Sequence, residues 1–141
     1  MAFKYQTDIN AVQHCPPANV VSEDSKAYRF VHSPLTAASF TPIAKTSPSR
    51  PLSGKSACLG LGLSFYNTRE AAENKFTQIT KTHPNFHKKV GNKIASGVLT
   101  KNQGVRSKIS TDGHFTFFEF ANLSLEKLFQ ITEIEVEETH G

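Results

Sequence analysis

Residues 59–76 read LGLGLSFYNTREAAENKF, and this stretch decides the predicted fold. Two glycines alternate with leucines at its start, which predicts a strand with one bare face that another backbone or a ligand can approach. Asn67 or Thr68 can cap a following helix, and the later apolar residues recur at the spacing of one helical face. The stretch therefore predicts a strand, a polar turn and an amphipathic helix over residues 67–82.

Further strands are predicted where apolar and polar residues alternate along the chain. They cover residues 27–32, 93–100, 105–111, 114–120 and 130–137. The turn at residues 101–104 predicts a hairpin between the strands on either side, and most neighbouring strands can pair in the same way. Short helical turns are expected within residues 35–44 and 123–129. The predicted class is α+β, with a largely antiparallel sheet and one main helix packed on it.

The length of 141 residues predicts one domain with a core of its own. Residues 1–24 are polar and contain two prolines directly after Cys15, so we expect an extended N-terminal lead-in. Residues 25–141 are expected to form a single α+β domain. Within it, residues 45–56 are rich in proline, serine and glycine and are predicted to be a loop.

The composition predicts a soluble protein that makes no contact with a membrane. The chain contains 10% aromatic and 20% charged residues, which is ordinary for a folded domain. No apolar run approaches the roughly 20 residues of a membrane span, and the N-terminus lacks the apolar block of a secretory signal. Cys15 and Cys58 are the only cysteines, and nothing in the sequence favours pairing them. We therefore expect a cytoplasmic location.

The net charge of +4 is distributed unevenly along the chain. Residues 45–109 carry twelve Lys and Arg against two acids, whereas residues 110–141 carry one Lys and seven acids. A basic middle segment can attract phosphates, nucleic acid or an acidic protein partner. Alternatively, the acidic C-terminal part neutralises the basic segment within the fold. Few aromatic side chains lie among the basic residues, so specific nucleic-acid binding is not expected.

Two short motifs do not meet the requirements of the sites that they suggest. The SGKS string at residues 53–56 lacks the glycine that a phosphate-binding loop needs five residues before its second glycine. His83 and His87 have the spacing of a helical metal pair, but Pro84 lies between them and disrupts the helix. We therefore predict no metal site.

Polar and charged side chains spread over three predicted strands suggest a ligand site. Arg29 lies within an apolar strand and needs either an anion or solvent, and the pyrophosphate of a nicotinamide dinucleotide would supply the anion. Tyr66 can stack on a flat ring, with Ser64 donating a hydrogen bond beside it. His114 or Glu119 would stabilise the oxocarbenium formed by cleavage at nicotinamide. The alternative is an edge-strand arginine paired with a surface acid, beside a core tyrosine and a solvated glutamate.

Several strings within residues 15–129 resemble a family of small bacterial proteins. They are AYRFVH, FTPIA, CLGLGLSFYNTREAA, IASGVLT and GHFTFF. This resemblance implies no activity. It leaves open a non-enzymatic binding module or a small partner protein of a bacterial defence or toxin system.

The segment LSFYNTREAAENKF also resembles the ADP-ribosyltransferase-like fold. In that fold, a strand with Arg or His precedes a strand with Ser or Tyr and its helix, and a later strand supplies an acid or another polar residue. The resemblance implies that NAD is the cofactor, that Arg29, Ser64 and Tyr66 bind it, and that ADP-ribose transfer or NAD cleavage is the activity. Tyr66, Glu119 and His114 are the implied catalytic residues.

The chain departs from that pattern in two respects. The Ser-x-Ser pair of the arginine-type enzymes is Ser-Phe-Tyr at residues 64–66, and HFTFFEF supplies a single acid. In addition, His114 and Glu119 would point to opposite faces of a regular strand. Both can face one pocket only if a β-bulge between them shifts the alternation of side chains.

Overall fold

The computed structural model describes residues 2–49 and 51–134, which form a six-stranded sheet with short helices around it. The strands are β1 (Ser25–Val31), β2 (Leu63–Tyr66), β3 (Lys93–Leu99), β4 (Gly104–Arg106), β5 (His114–Glu119) and β6 (Gln130–Glu133). The helices are α1 (Gln6–Asn10), α2 (Ile43–Thr46), α3 (Lys55–Leu59), α4 (Arg69–Thr82) and α5 (Phe86–Val90), with 3-10 turns at Ala37–Phe40 and Leu125–Lys127. All strand pairs are antiparallel, so the predicted α+β class with an antiparallel sheet is confirmed.

The main helix, α4, packs on one face of the sheet as predicted. Its N-cap is Thr68, whose hydroxyl oxygen accepts a 3.0 Å hydrogen bond from the amide of Ala71. The helix ends directly before His83, because the following proline disfavours helical backbone at the residue that precedes it. Ala72 and Phe76 are buried against the sheet, and the Phe76 ring lies 5.6 Å from that of Phe30. β2 and β5 are neighbours in the same sheet, which confirms that part of the fold prediction.

The predicted hairpin around residues 101–104 is wrong. The strand order is β4-β5-β2-β1-β3-β6, so β3 and β4 lie in different parts of the sheet. β3 pairs along its full length with β1, and its other edge pairs with β6. Both edges of β3 are thus occupied, and β4 pairs with β5 instead.

The opposite face of the sheet carries the larger core. Its buried side chains come from four strands, β1, β2, β3 and β5, and from the two 3-10 turns or the residues beside them. The central ones are aromatic: Phe40, Phe65, Phe115, Phe117 and Phe129. The rings of Phe65 and Phe115 stack at a centroid distance of 5.8 Å across β2 and β5. α4 therefore covers one face of the sheet, and this aromatic core covers the other.

The segment that precedes β2 is a short helix and not part of the predicted strand. Residues 55–59, predicted partly as loop and partly as strand, form α3, and β2 begins at Leu63. A Cβ on Gly62 would lie 2.4 Å from the side chain of Thr116, so the bare backbone accommodates the neighbouring strand. β4 is shorter than the predicted strand, and β6 ends at Glu133. Residues 135–137 of the predicted last strand lie outside the described residues.

The N-terminal segment packs against the sheet and is only partly extended. The extended lead-in predicted for residues 1–24 is wrong at α1, which forms a short helix with Ile9 buried. Phe3 forms an isolated bridge with Phe120 at the end of β5. The buried Ile9 and this bridge hold the segment against the body of the domain.

The two cysteines form a disulfide, so the prediction that they are unpaired is wrong. Cys15 and Cys58 are 43 residues apart in sequence and have a Cα–Cα distance of 5.4 Å. Both belong to a small apolar cluster beneath the N-terminal segment, which also contains Ile9. The cytoplasmic prediction relied on unpaired cysteines and loses that basis. Within residues 2–49 and 51–134, no helix has the length and apolar character needed to cross a membrane.

Candidate ligand-binding groove

A groove opens where β1 and β2 separate. Within the described chain, Tyr28 opposite Tyr66 is the single register pair between these strands, and no pair follows toward Phe30 and Ser64. The groove has a volume of about 580 Å³, within the range of small-molecule sites. It is bordered by both strands, by α4 and α5, and by the segment that contains α2.

Arg29 bridges the gap between the strands. Its Nε donates a hydrogen bond to the carbonyl oxygen of Ser39, and its Nη1 donates to the carbonyl oxygen of Ser64, both at 3.0 Å. The Cζ atom lies 5.9 Å from the ring centroid of Phe65. Burial lowers the pKa of Arg29 to about 10, and the charge of Glu119 opposes this shift. Arg29 therefore remains a cation at neutral pH.

The surroundings of Arg29 differ from the predicted alternative of an ion pair at a sheet edge. β1 lies between β2 and β3, so Arg29 occupies a central strand. Among the described residues, its hydrogen-bond partners are two backbone carbonyls. The guanidinium supplies hydrogen bonds where the β1–β2 ladder is interrupted, and it also lines the groove.

Three of the predicted site residues meet on the face of the sheet that carries α4. His114 Nε2 lies 3.1 Å from Ser64 Oγ, and the His114 and Tyr66 rings pack edge to face at 5.5 Å. The strand register explains this contact, because Tyr66 is opposite His114 and Ser64 lies two residues from Tyr66, on the same face of the sheet. Ser64 is exposed and lines the groove together with Tyr66, while His114 contacts Ser64 from the neighbouring strand and does not itself line the groove.

Burial shifts the protonation equilibria of the two rings in this cluster. It raises the pKa of Tyr66 to about 12, with a smaller contribution from the charge of Asp112, so the phenol remains a hydrogen-bond donor. Burial lowers the pKa of His114, while Asp112 acts to raise it and Lys75 to lower it. The imidazole is therefore neutral at pH 7 and able to accept a proton.

Glu119 does not join this cluster. It lies at the other end of β5 from His114, opposite Gly104, and it does not line the groove. Because five residues separate Glu119 from His114 in a regular strand, the two side chains point to opposite faces. The structure thus brings Ser64, Tyr66 and His114 into contact and places Arg29 against the Ser64 backbone. Glu119 lies outside the groove, although its charge acts on the pKa of Arg29.

Glu119 is instead a buried acid beside the N-terminal segment. Its exposed fraction is 4%, and neither carboxylate oxygen has a hydrogen-bond partner among the described residues. Lys4 Nζ lies 3.6 Å from Oε1, which is an ion-pair distance but too long for a hydrogen bond. Burial raises the pKa of Glu119 to about 7, although Lys4 acts to lower it.

The groove is lined by two further polar side chains that the sequence analysis did not single out. Lys89 and His32 line it with Arg29, and no Asp or Glu among the described residues does so. Lys89 is exposed and has no recorded ion-pair partner within the described chain. The basic stretch around α5 was visible in the sequence, but its position beside β1 depends on the fold.

The basic middle segment is partly neutralised within the fold, as one of the two alternatives predicted. Lys75 pairs with Asp112, and Lys93 pairs with Glu133, so two of its cations contact acids of the C-terminal part. Lys45, Arg69 and Arg106 also have acidic partners. These five ion pairs reduce the charge available to a nucleic acid.

Substitution of Arg29 is expected to destabilise the domain even without a ligand. Arg29→Met leaves the carbonyls of Ser39 and Ser64 without their donor, and we expect a loss of about 2 kcal/mol in the free energy of unfolding. Arg29→Lys is expected to restore only part of this loss, because one ammonium does not reproduce the planar fork of donors. Urea denaturation measures both changes. Lys26→Met, at an exposed position of the same strand, is the control, and a fully stable Arg29→Lys would contradict this role.

Comparison with known proteins finds no matching family model, no matching curated protein and no matching solved structure. The α+β class and the grouping of Arg29, Ser64, Tyr66 and His114 therefore rest on the structure itself, while the two resemblances seen in the sequence remain hypotheses.

Proposed function

We propose that the groove binds an anionic ligand with a flat ring, such as NAD or a related nucleotide. The observation that supports this proposal is the charge of the lining, where the cations Arg29 and Lys89 occur without a described carboxylate. An anion that enters such a groove meets cations and hydroxyl groups and no described acid that would repel it. A cationic ligand is disfavoured, because the lining cations would repel it and no described carboxylate would attract it.

The aromatic lining supports the ring of the proposed ligand. Phe30 lies between Tyr66 and Phe86, at centroid distances of 5.6 and 5.7 Å, and all three residues line the groove. Such a wall offers apolar and π surface to a nicotinamide or adenine ring. Lys89 follows Phe86 on α5, which would place a cation near the phosphates of a ligand stacked there.

An ADP-ribosyltransferase-like fold and bacterial origin remain part of this proposal as hypotheses. Transfer of ADP-ribose or cleavage of NAD would have to proceed without Glu119, because that residue lies at the end of β5 away from Ser64 and Tyr66. Ser64, Tyr66 and His114 are then the residues available for chemistry. We therefore propose ligand binding as the primary function, with NAD as the first ligand to test.

Isothermal titration calorimetry with NAD and ADP-ribose tests the proposal. We expect binding by the wild type and a roughly tenfold weaker affinity in Lys89→Ala, which corresponds to the loss of one charge-assisted contact. Lys88→Ala is the matched control, since Lys88 is an exposed neighbour on α5 that does not line the groove. An absence of binding of both ligands at millimolar concentration, or equal losses in the two variants, would refute the proposal.

A further inference from the structure

We propose that Ser64 and His114 form a nucleophile–base pair that hydrolyses carboxylic esters bound in the groove. This inference goes beyond ligand binding and does not require that NAD is the ligand. It starts from the 3.1 Å contact between Ser64 Oγ and His114 Nε2, which is the distance at which a hydroxyl can transfer its proton to an imidazole.

The two side chains are arranged as a reactive pair would require. Ser64 is exposed at the groove, so a bound carbonyl can approach its oxygen. His114 is half-buried behind it, and the edge-to-face contact with Tyr66 restricts the orientation of its ring. Since burial lowers the pKa of His114, the ring is available as a base at neutral pH.

The gap between β1 and β2 also provides stabilisation for an oxyanion. Backbone groups of successive strand residues point alternately toward the two neighbouring strands. The Ser64 carbonyl faces Arg29 across the gap, so the Ser64 amide N–H faces the same gap. This N–H would stabilise negative charge that develops on the carbonyl oxygen of the substrate.

The proposed reaction needs only the ester and water. Ser64 Oγ attacks the carbonyl carbon while its proton passes to His114 Nε2. The tetrahedral intermediate then expels the alcohol, which takes that proton and leaves an acyl group on Ser64. His114 next accepts a proton from water, the resulting hydroxide attacks the acyl group, and the proton returns to Ser64 Oγ as the carboxylic acid departs.

The groove lining indicates which esters would fit. Its apolar side chains are Ile43, Leu59, Ile79 and Val90, together with the aromatic wall. These surfaces suit an apolar acyl chain, whereas Lys89 and His32 suit an anionic group on the other part of the ester. The proposed substrate class is therefore an ester of a short apolar acid with an anionic alcohol.

A fluorophosphonate probe followed by intact-protein mass spectrometry tests this pair. We expect one adduct on Ser64, no adduct in Ser64→Ala, and wild-type labelling in Ser22→Ala, which alters an exposed serine outside the groove. His114→Gln keeps a hydrogen-bonding side chain but removes the base, so its labelling rate should fall by about 100-fold or more.

A second readout follows the hydrolysis of p-nitrophenyl butyrate as a function of pH. We expect the wild-type rate to rise through the pKa of His114 and this dependence to be lost in His114→Gln. Circular dichroism establishes that each variant is folded. An unlabelled wild type, or a folded His114→Gln that labels at the wild-type rate, would overturn the proposal. NAD binding is measured separately, so either proposal can fail without the other.

Discussion

Glu119→Gln is expected to raise the free energy of unfolding by about 3 kcal/mol at pH 8 and by less than about 1 kcal/mol at pH 5. Burial raises the pKa of Glu119 from 4.5 to about 7, and each unit of difference corresponds to about 1.4 kcal/mol. At pH 8 the folded wild type must hold a charge where neither carboxylate oxygen has a hydrogen-bond partner within residues 2–49 and 51–134. The amide avoids that cost because it remains neutral.

The direction of the pH dependence follows from proton binding. Between pH 4.5 and about 7, folded Glu119 holds a proton that the unfolded chain has released. Wild-type stability should therefore fall as the pH rises through this window and become constant above it. Lys4→Met removes the nearest cation, so it should raise the pKa of Glu119 further and extend the window to higher pH.

Urea denaturation at a series of pH values measures this effect. Glu70→Gln is a suitable control, because Glu70 is exposed and its substitution should change stability by less than about 0.5 kcal/mol. If Glu119→Gln had the same effect at pH 5 and pH 8, burial of the charge would not be the cause. A variant less stable than the wild type at pH 8 would show that the carboxylate has a stabilising partner.

Removal of the disulfide is expected to lower the free energy of unfolding by about as much as Glu119→Gln raises it at pH 8. Cys15 and Cys58 close a loop with a sequence separation of 43 residues, for which the chain-entropy estimate is about 4 kcal/mol. The bridge also ties the N-terminal segment to the end of α3, where Cys58 is buried. The double variant Cys15→Ser/Cys58→Ser should therefore unfold at a markedly lower urea concentration than the oxidised protein.

Comparison with and without a reducing agent isolates the contribution of the bridge. Reduction should lower the stability of the wild type but leave the double serine variant unchanged, which serves as the control. Thiol titration of the unfolded, unreduced protein should find no free cysteine. Two free thiols, or identical denaturation curves before and after reduction, would contradict the expected role.

The sequence by itself determined the elements whose signals are local. The α4 helix was predictable because its apolar spacing, its cap at Thr68 and the stop before Pro84 all lie within one short stretch. β2 and β5 were predictable from their apolar and aromatic residues, and the opposite directions of His114 and Glu119 follow from the alternation of a strand.

Only the tertiary structure decided which distant segments meet. The pairing of β3 with β1 rather than β4, and of Cys15 with Cys58, depends on contacts between residues far apart in the chain. The same holds for the carbonyl partners of Arg29 and for the burial of Glu119 beneath the N-terminal segment. Local periodicity specifies which face of an element is apolar, but it carries no information about the segment that covers that face, because this choice depends on the packing of the whole chain.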